Sequence, residues 1–305
     1  MNAYITAQGF TTVSMKTVLI GAGLNMVLDP ILIFGLHMGV KGAALATICS
    51  QAVSMLWVLR FLLGKQTKWR LRKSDMKLVP SVFLPSLALG LSPFIMQSTE
   101  SLLAVCFNSS LLKYGGDIAV GAMTVLSSIM QFAMMPLQGL TQGAQPIISY
   151  NYGAQNASRV RTAFRCLLRA SLVYSAVLWA SVMLFPQVFV SLFNNDPRLV
   201  GYAVWAVRIY MSAAVLFGIQ LPCQVTFVAL GNAKASLFLA VLRKIILLIP
   251  LIFILPNFFA NKAFAVFLAE PAADVLAVAA TAVLFAVQFR RSMTALDSGG
   301  PRKAS

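Results

Sequence analysis

VSMKTVLIGAGLNMVLDPILIFG, residues 13–35, is an apolar run in which only Lys16 and Asp29 carry charge. A helix needs about 20 predominantly apolar residues to cross a bilayer, and this run supplies them. Seven more runs of the same kind follow, at about 41–63, 81–107, 118–140, 163–185, 202–228, 234–256 and 263–289. In lipid a backbone must satisfy its own N–H and C=O groups, and a helix does so within one segment. The expected fold is therefore all-α and polytopic, with about eight transmembrane helices.

Composition points the same way. Hydrophobic residues make up 59% of the chain and charged residues only 10%, where a soluble domain carries about 25% charge. A net charge of +16 in a soluble protein would indicate nucleic acid. Here the basic residues lie in the connections, so the lipid bilayer is the expected partner and nucleic acid is not. The 64–80 connection holds Lys65, Lys68, Arg70, Arg72, Lys73 and Lys77. Arg159, Arg161, Arg165 and Arg169 follow the fourth run, and Arg290, Arg291, Arg302 and Lys303 close the chain. The alternate connections hold only Lys41, Lys113, Arg198 and Lys262. Positive-inside asymmetry then predicts a multi-pass protein with both ends cytoplasmic. The first ten residues lack the basic-then-apolar pattern of a cleavable leader. Cys49, Cys106, Cys166 and Cys223 sit far apart in apolar runs and read as small core residues, and His37 reads as a loop residue. No nucleophile–base pair, phosphate loop or metal motif is present, so neither an enzyme nor a cofactor is expected.

Four of the eight acids, Asp29, Glu100, Glu270 and Asp274, fall inside the apolar runs. A charge at the bilayer centre costs about 2.5–3.5 kcal/mol on insertion scales and is tolerated facing a protein interior or a watery cavity. Such carboxylates suit a proton, a metal cation or a cationic substrate. Asn25 and Asp29 are one turn apart and share a face; with the Thr47 hydroxyl they would offer oxygens to a hard cation such as Na+. Glu100 stands among Gln97, Ser98, Thr99 and Ser101, as a titrating group or as the ion-pair partner of Arg208 or Arg243. Glu270 and Asp274 are also one turn apart, either lining a substrate cavity or paired with Arg243 or Lys244. Gln138, Gln142, Gln145, Tyr150 and Asn151 make the end of the fourth run polar; Gln138, Gln142, Gln145 and Tyr150, with Gln97 of the third run, are further candidates for a substrate cavity. Met130, Phe132, Met134 and Met135 offer a soft surface for lipophilic ligands. Prolines, among them Pro30, Pro136, Pro222, Pro250 and Pro271, mark bends or hinges.

The two ends of the chain look alike. Ala7-Gln8-Gly9 precedes the first run and Ala229-Leu230-Gly231 the seventh; LDPILIFGL parallels LIPLIFIL, setting Pro30 opposite Pro250; Lys41 falls roughly opposite Lys262. Transporters are commonly built from such repeats. If the pairs correspond, residues 81–289 form a complete six-helix unit and 1–64 the last two helices of an earlier one whose other helices are absent. Residues 65–80 would be a basic cytoplasmic loop between them, and 290–305 a flexible cytoplasmic tail.

AQGFTTVSMKTVLIGAGLNMVLDPILIF (7–34), MGVKGAALATICSQ (38–51), LSPFIMQSTESLLAVCFNSSLLKYGGD (91–117), PLQGLTQGAQPIISYNYGAQN (136–156) and ALGNAKAS (229–236) together resemble the multidrug and toxic compound extrusion (MATE) family, in particular its MepA-like bacterial branch. The resemblance covers nearly all of residues 3–290. It implies a fold of two six-helix lobes around a cavity that faces each side of a bacterial inner membrane in turn. Efflux of small cationic lipophilic compounds would be coupled to inward H+ or Na+. It also implies a cation or proton site at Asp29, Asn25 and Thr47, with a further acid on a first helix this chain lacks, and a second coupling acid at Glu100. One sodium-coupled branch adds an acid on the helix that here carries Gln220 and Gln224. On this reading the chain is an N-terminally truncated and inactive piece, needing the missing helices or another copy to complete the cavity. The alternatives are a lipid-linked oligosaccharide flippase of the same superfamily and a non-transporting membrane scaffold.

Overall fold

The computed structural model describes residues 1–64, 67 and 80–297. Most of the basic 65–80 connection and the tail beyond 297 lie outside the described residues. Those described form helices and short turns, without a strand. The helices are α1 (Asn2–Ala7), α2 (Thr11–Pro30), α3 (Gly39–Leu63), α4 (Pro80–Gly153), α5 (Ala157–Leu184), α6 (Pro186–Ser191), α7 (Pro197–Tyr210), α8 (Phe217–Ala229), α9 (Ala233–Val241), α10 (Ile249–Ile254) and α11 (Lys262–Asp297). The chain divides into two compact units, Met1–Phe83 and Leu84–Ser305.

Among the described residues six helices are long and apolar enough to cross a membrane, and seven segments qualify once α7 and α8, bent by 47°, are taken as one broken span. The α4 run contains two crossings. Its 74 residues would extend about 110 Å at 1.5 Å per residue, against a hydrocarbon core of about 30 Å. The run breaks at Gly116, where φ 66° and ψ −166° occupy a region essentially reserved for glycine. A Cβ on the adjacent Gly115 would lie 3.2 Å from Tyr202 Oη and 3.4 Å from Ala263 Cβ. The break therefore sits beside the starts of α7 and α11. The limbs 80–115 and 117–153 contain the two runs expected at 81–107 and 118–140, which brings the crossings among the described residues to eight.

Proline shapes two other spans. It removes an N–H and crowds the carbonyl four residues earlier, which for Pro250 lies inside a π-helical widening. A π-helical turn, Ile31–Gly35, follows Pro30, and another, Leu242–Leu248, precedes Pro250. Helix ends reuse one device. The Gly9 N–H donates to Thr6 O and the Phe10 N–H to Ile5 O; at the other end Gly231 donates to Val228 O and Asn232 to Phe227 O. Both glycines hold positive φ, 90° and 78°, as a left-handed helix stop requires. The turn occurs a third time with Gln155 at φ 59°, Gln155 donating to Tyr152 O and Asn156 to Asn151 O. Asn156 and Asn232 then cap α5 and α9 by accepting from Arg159 N and Ala235 N.

In lipid, helices associate by close packing rather than by expelling water. The main core of the second unit gathers Leu111, Leu126, Ile129, Met211, Ile252 and Phe267, all at most 1% exposed. At Gly218 a Cβ would lie 2.9 Å from Ser171 O, so glycine lets α8 ride directly on α5. Several boundaries differ from expectation. The second limb of α4 runs to Gly153 rather than 140, and α11 runs to Asp297, so residues 290–297 are helix and not tail. Cys49 and Cys166 are exposed rather than core, because the outer face of a membrane helix is apolar too. Met134 belongs to the core, while Phe132 and Met135 are exposed.

Candidate functional site

The π turn Leu242–Leu248 carries two consecutive cations, Arg243 and Lys244. Its i→i+5 bonding turns the chain less per residue than an α-helix does, bringing neighbouring side chains closer to one face. Arg243 Nε donates to Asp274 Oδ1 at 2.6 Å and Nη2 to Glu270 Oε1 at 2.9 Å. Its guanidinium lies 4.9 Å from the centre of the Phe217 ring. Lys244 Nζ pairs with Glu100 Oε1 on the first limb of α4. Two ion-pair sets, carried by adjacent residues of the π turn, thus form a network that ties the turn to α11 and to α4.

Burial divides it. The side chains of Glu270 and Asp274 are 8% and 3% exposed and that of Lys244 is 8%, but that of Glu100 is 58%. Glu270 and Asp274 are therefore interior and engaged by Arg243, not the open cavity lining their sequence position also allowed. Glu270 Oε2 is buried with no hydrogen-bond partner among the described residues. Lys244, rather than Arg208 or Arg243, is the partner of Glu100.

The second limb of α4 presents a polar stripe. Thr124, Ser127, Gln131, Gln138 and Gln142 are exposed at helical spacing, interrupted only by Met135, while Leu126, Ile129, Ala133 and Leu137 on the other face are buried. Hydroxyls and amides facing lipid would be costly, so this stripe fits a water-accessible path. Gln145 is half-buried further along, and Tyr150 is 77% exposed. On the first limb Gln97, Glu100, Ser101 and Asn108 are exposed. Thr124, Ser127 and Gln131 are additions to the sequence-based candidates, and polar residues three or four apart in an apolar run are the signal that marks them.

In the first unit Asn25 Nδ2 donates to Asp29 Oδ1 at 3.5 Å. Thr47 Oγ1 donates to Ala43 O at 2.9 Å and is exposed. The structure thus brings Asn25 and Asp29 together and shows no bond from Thr47 to either.

A family model described as MatE matches residues 93–254, more than half of the chain. The chain belongs to the MatE family. It is 27% identical over 259 residues to the multidrug export protein MepA of Staphylococcus haemolyticus (strain JCSC1435), covering 85% of this chain and 57% of that protein. MepA of Staphylococcus aureus (strain NCTC 8325) is 27% identical over 263 residues with the same coverage. The chain spans little more than half the length of these relatives. Among solved structures, an outward-facing multidrug resistance MATE family transporter of the MOP superfamily superposes with TM-score 0.86 at 24% identity, over 97% of this chain and 66% of its own. A MATE in the bent conformation gives 0.84 at 24%, over 95% and 64%. A MOP superfamily transporter from Pyrococcus furiosus, described as having a binding pocket of reverse polarity that suggests a different function, gives 0.85 at 23%, over 95% and 64%. The fold is thus that of the MATE transporters: an all-α, multi-pass membrane protein.

Proposed function

We propose that this chain forms part of a secondary antiporter that exports cationic lipophilic compounds across a bacterial cytoplasmic membrane in exchange for H+ or Na+. The observation that carries this reading is a charge imbalance. Among the described residues Glu100, Glu270 and Asp274 are met by Arg243 and Lys244, three carboxylates against two cations. When all are ionised, one positive charge is lacking, and the deficit falls on Glu270 and Asp274, which share Arg243, while Lys244 balances Glu100. Glu100 is the point of entry, being exposed on the polar side of α4. Lys244 is a tethered cation that holds Glu100 until a proton or an organic cation takes its place. Two ligands that cannot occupy Glu100 together, each biasing the same two arrangements, give exchange. The relatives named as multidrug export proteins support the substrate class.

Asn25, Asp29 and Thr47 form a second cation site in this reading, with Thr47 turning its oxygen inward when Na+ binds. Residues 1–64 are the end of one lobe and 81–289 the six-helix second lobe, with both ends of the chain cytoplasmic. Further helices, from a longer chain rather than a second copy of this one, complete the substrate cavity. A flippase for an anionic lipid-linked substrate needs unengaged cations; Arg243 and Lys244 are buried and paired, which disfavours it.

The test is dye efflux from proteoliposomes. The chain alone is expected to show none driven by pH or Na+. A chimera placing ahead of this chain the N-terminal part of MepA that it does not match is expected to restore coupled efflux, and Glu100→Gln in that chimera to abolish it. Coupled efflux by the chain alone, or unchanged coupling in the chimera carrying Glu100→Gln, refutes the reading.

A further inference from the structure

A cavity of about 380 Å³ opens between the first turns of α5 and the last turns of α11. Arg161, Arg165 and Arg290 stand on its wall beside Phe164, Phe289 and Met293. The apolar side is fixed: the Phe164 and Phe289 ring centres are 5.1 Å apart, and Met293 is 2% exposed. Arg161 Nη2 is bridged to Asp297 at 2.5 Å, whereas among the described residues no carboxylate lies within ion-pair distance of Arg165 or Arg290. A shallower recess of about 570 Å³ shares Arg290 and continues past Arg291 to Val287, itself 46% exposed.

The 36 residues of α11 extend about 54 Å, well beyond a hydrocarbon core of about 30 Å. Its last turns and the arginine-rich start of α5 therefore stand at headgroup level. Arginines there are ordinarily explained by topology alone. Topology does not require them to converge on a concave site with an aromatic wall, nor that site to run on to an exposed valine. A free phosphate needs only the guanidinium groups; a headgroup that brings acyl chains also needs the apolar exit.

We propose that this cavity binds the phosphate of an anionic phospholipid, held by charge-assisted bonds from Arg165 and Arg290, with the acyl chains lying along the Val287 face. Basic recesses between transmembrane helices suit such headgroups. The site is separate from the Glu100 network and does not depend on the chain's transport activity. Asp297 keeps Arg161 from joining the other two and so confines the phosphate to them.

The experiment is calorimetric titration of the full chain, in neutral detergent, with dihexanoyl-phosphatidylglycerol, dihexanoyl-phosphatidylcholine and inorganic phosphate in separate arms. Phosphatidylglycerol is expected to bind selectively. Arg165→Gln/Arg290→Gln is expected to weaken it about 30-fold, each arginine near a membrane surface contributing about fivefold. Arg198→Gln, which removes the same kind of charge at the start of α7, is expected to leave the affinity unchanged. Equal binding of inorganic phosphate, or an equal loss in Arg198→Gln, overturns the proposal. If the double variant fails to fold, native mass spectra of the wild-type chain decide: retention of phosphatidylglycerol over phosphatidylcholine supports the site, and equal retention overturns it.

Discussion

Replacing Arg243 with methionine keeps much of the side-chain volume and removes the charge that holds two buried acids. Asp274 and Glu270, at 2.6 and 2.9 Å from the guanidinium, are 3% and 8% exposed, so little water can take its place. Breaking a buried ion pair from one side costs about 3–5 kcal/mol, and losing the contact with Phe217 adds about 0.5–1 kcal/mol. Arg243→Met is therefore expected to lower stability by about 3–6 kcal/mol near neutral pH. The loss should shrink as pH falls, because protonating the two carboxyls removes the stranded charge; it should be largest where both are ionised. The triple variant Arg243→Met/Glu270→Leu/Asp274→Leu should recover to within about 1 kcal/mol of wild type, since apolar replacement of a whole buried ion cluster is often neutral or stabilising. The assay is denaturant unfolding in detergent micelles followed by tryptophan fluorescence. A single variant within about 1 kcal/mol of wild type, or a triple variant no better than the single, would show that the network does not carry the energy assigned to it.

Two backbone predictions use the same assay. Gly116→Ala should destabilise by about 1–3 kcal/mol through strain alone, because nothing lies within 4 Å of the added Cβ; Gly139→Ala, equally unobstructed but helical, should not destabilise. Equal effects would remove the special conformation of Gly116 from the explanation. Gln155→Gly should raise stability by up to about 1 kcal/mol by relieving a non-glycine left-handed residue, less the entropy glycine adds to the unfolded chain; a clear loss would place the Gln155 side chain in a role beyond the turn.

Much of this architecture is legible in the chain because lipid imposes a simple rule, an apolar run of sufficient length for each crossing. Eight runs are readable, and the corner that separates the third from the fourth stands in the sequence as a glycine pair, Gly115-Gly116. Helix ends are less legible. Arg161, Arg165, Arg290 and Arg291 break the hydropathy while the helices continue through them, so α5 begins earlier and α11 ends later than apolarity alone indicates. The acids are legible as functional candidates because each is expensive where it lies. The partner of Glu100 is not, because choosing Lys244 over Arg243 depends on the π turn, and a turn of one extra residue leaves no mark in composition. Cys49, Cys166 and Met134 show the other limit: an apolar residue in an apolar span carries no sign of whether it faces protein or lipid.

The break at Gly116 has a consequence for how the protein is made. One residue separates the two helical limbs, and the chain between the apolar runs at 81–107 and 118–140 is itself largely helix, so little slack exists for the first limb to settle independently of the second. The two limbs are expected to leave the insertion machinery as a preformed helical hairpin. Lengthening that corner with a glycosylation tag would test accessibility and at the same time uncouple two insertion events that the native chain performs as one.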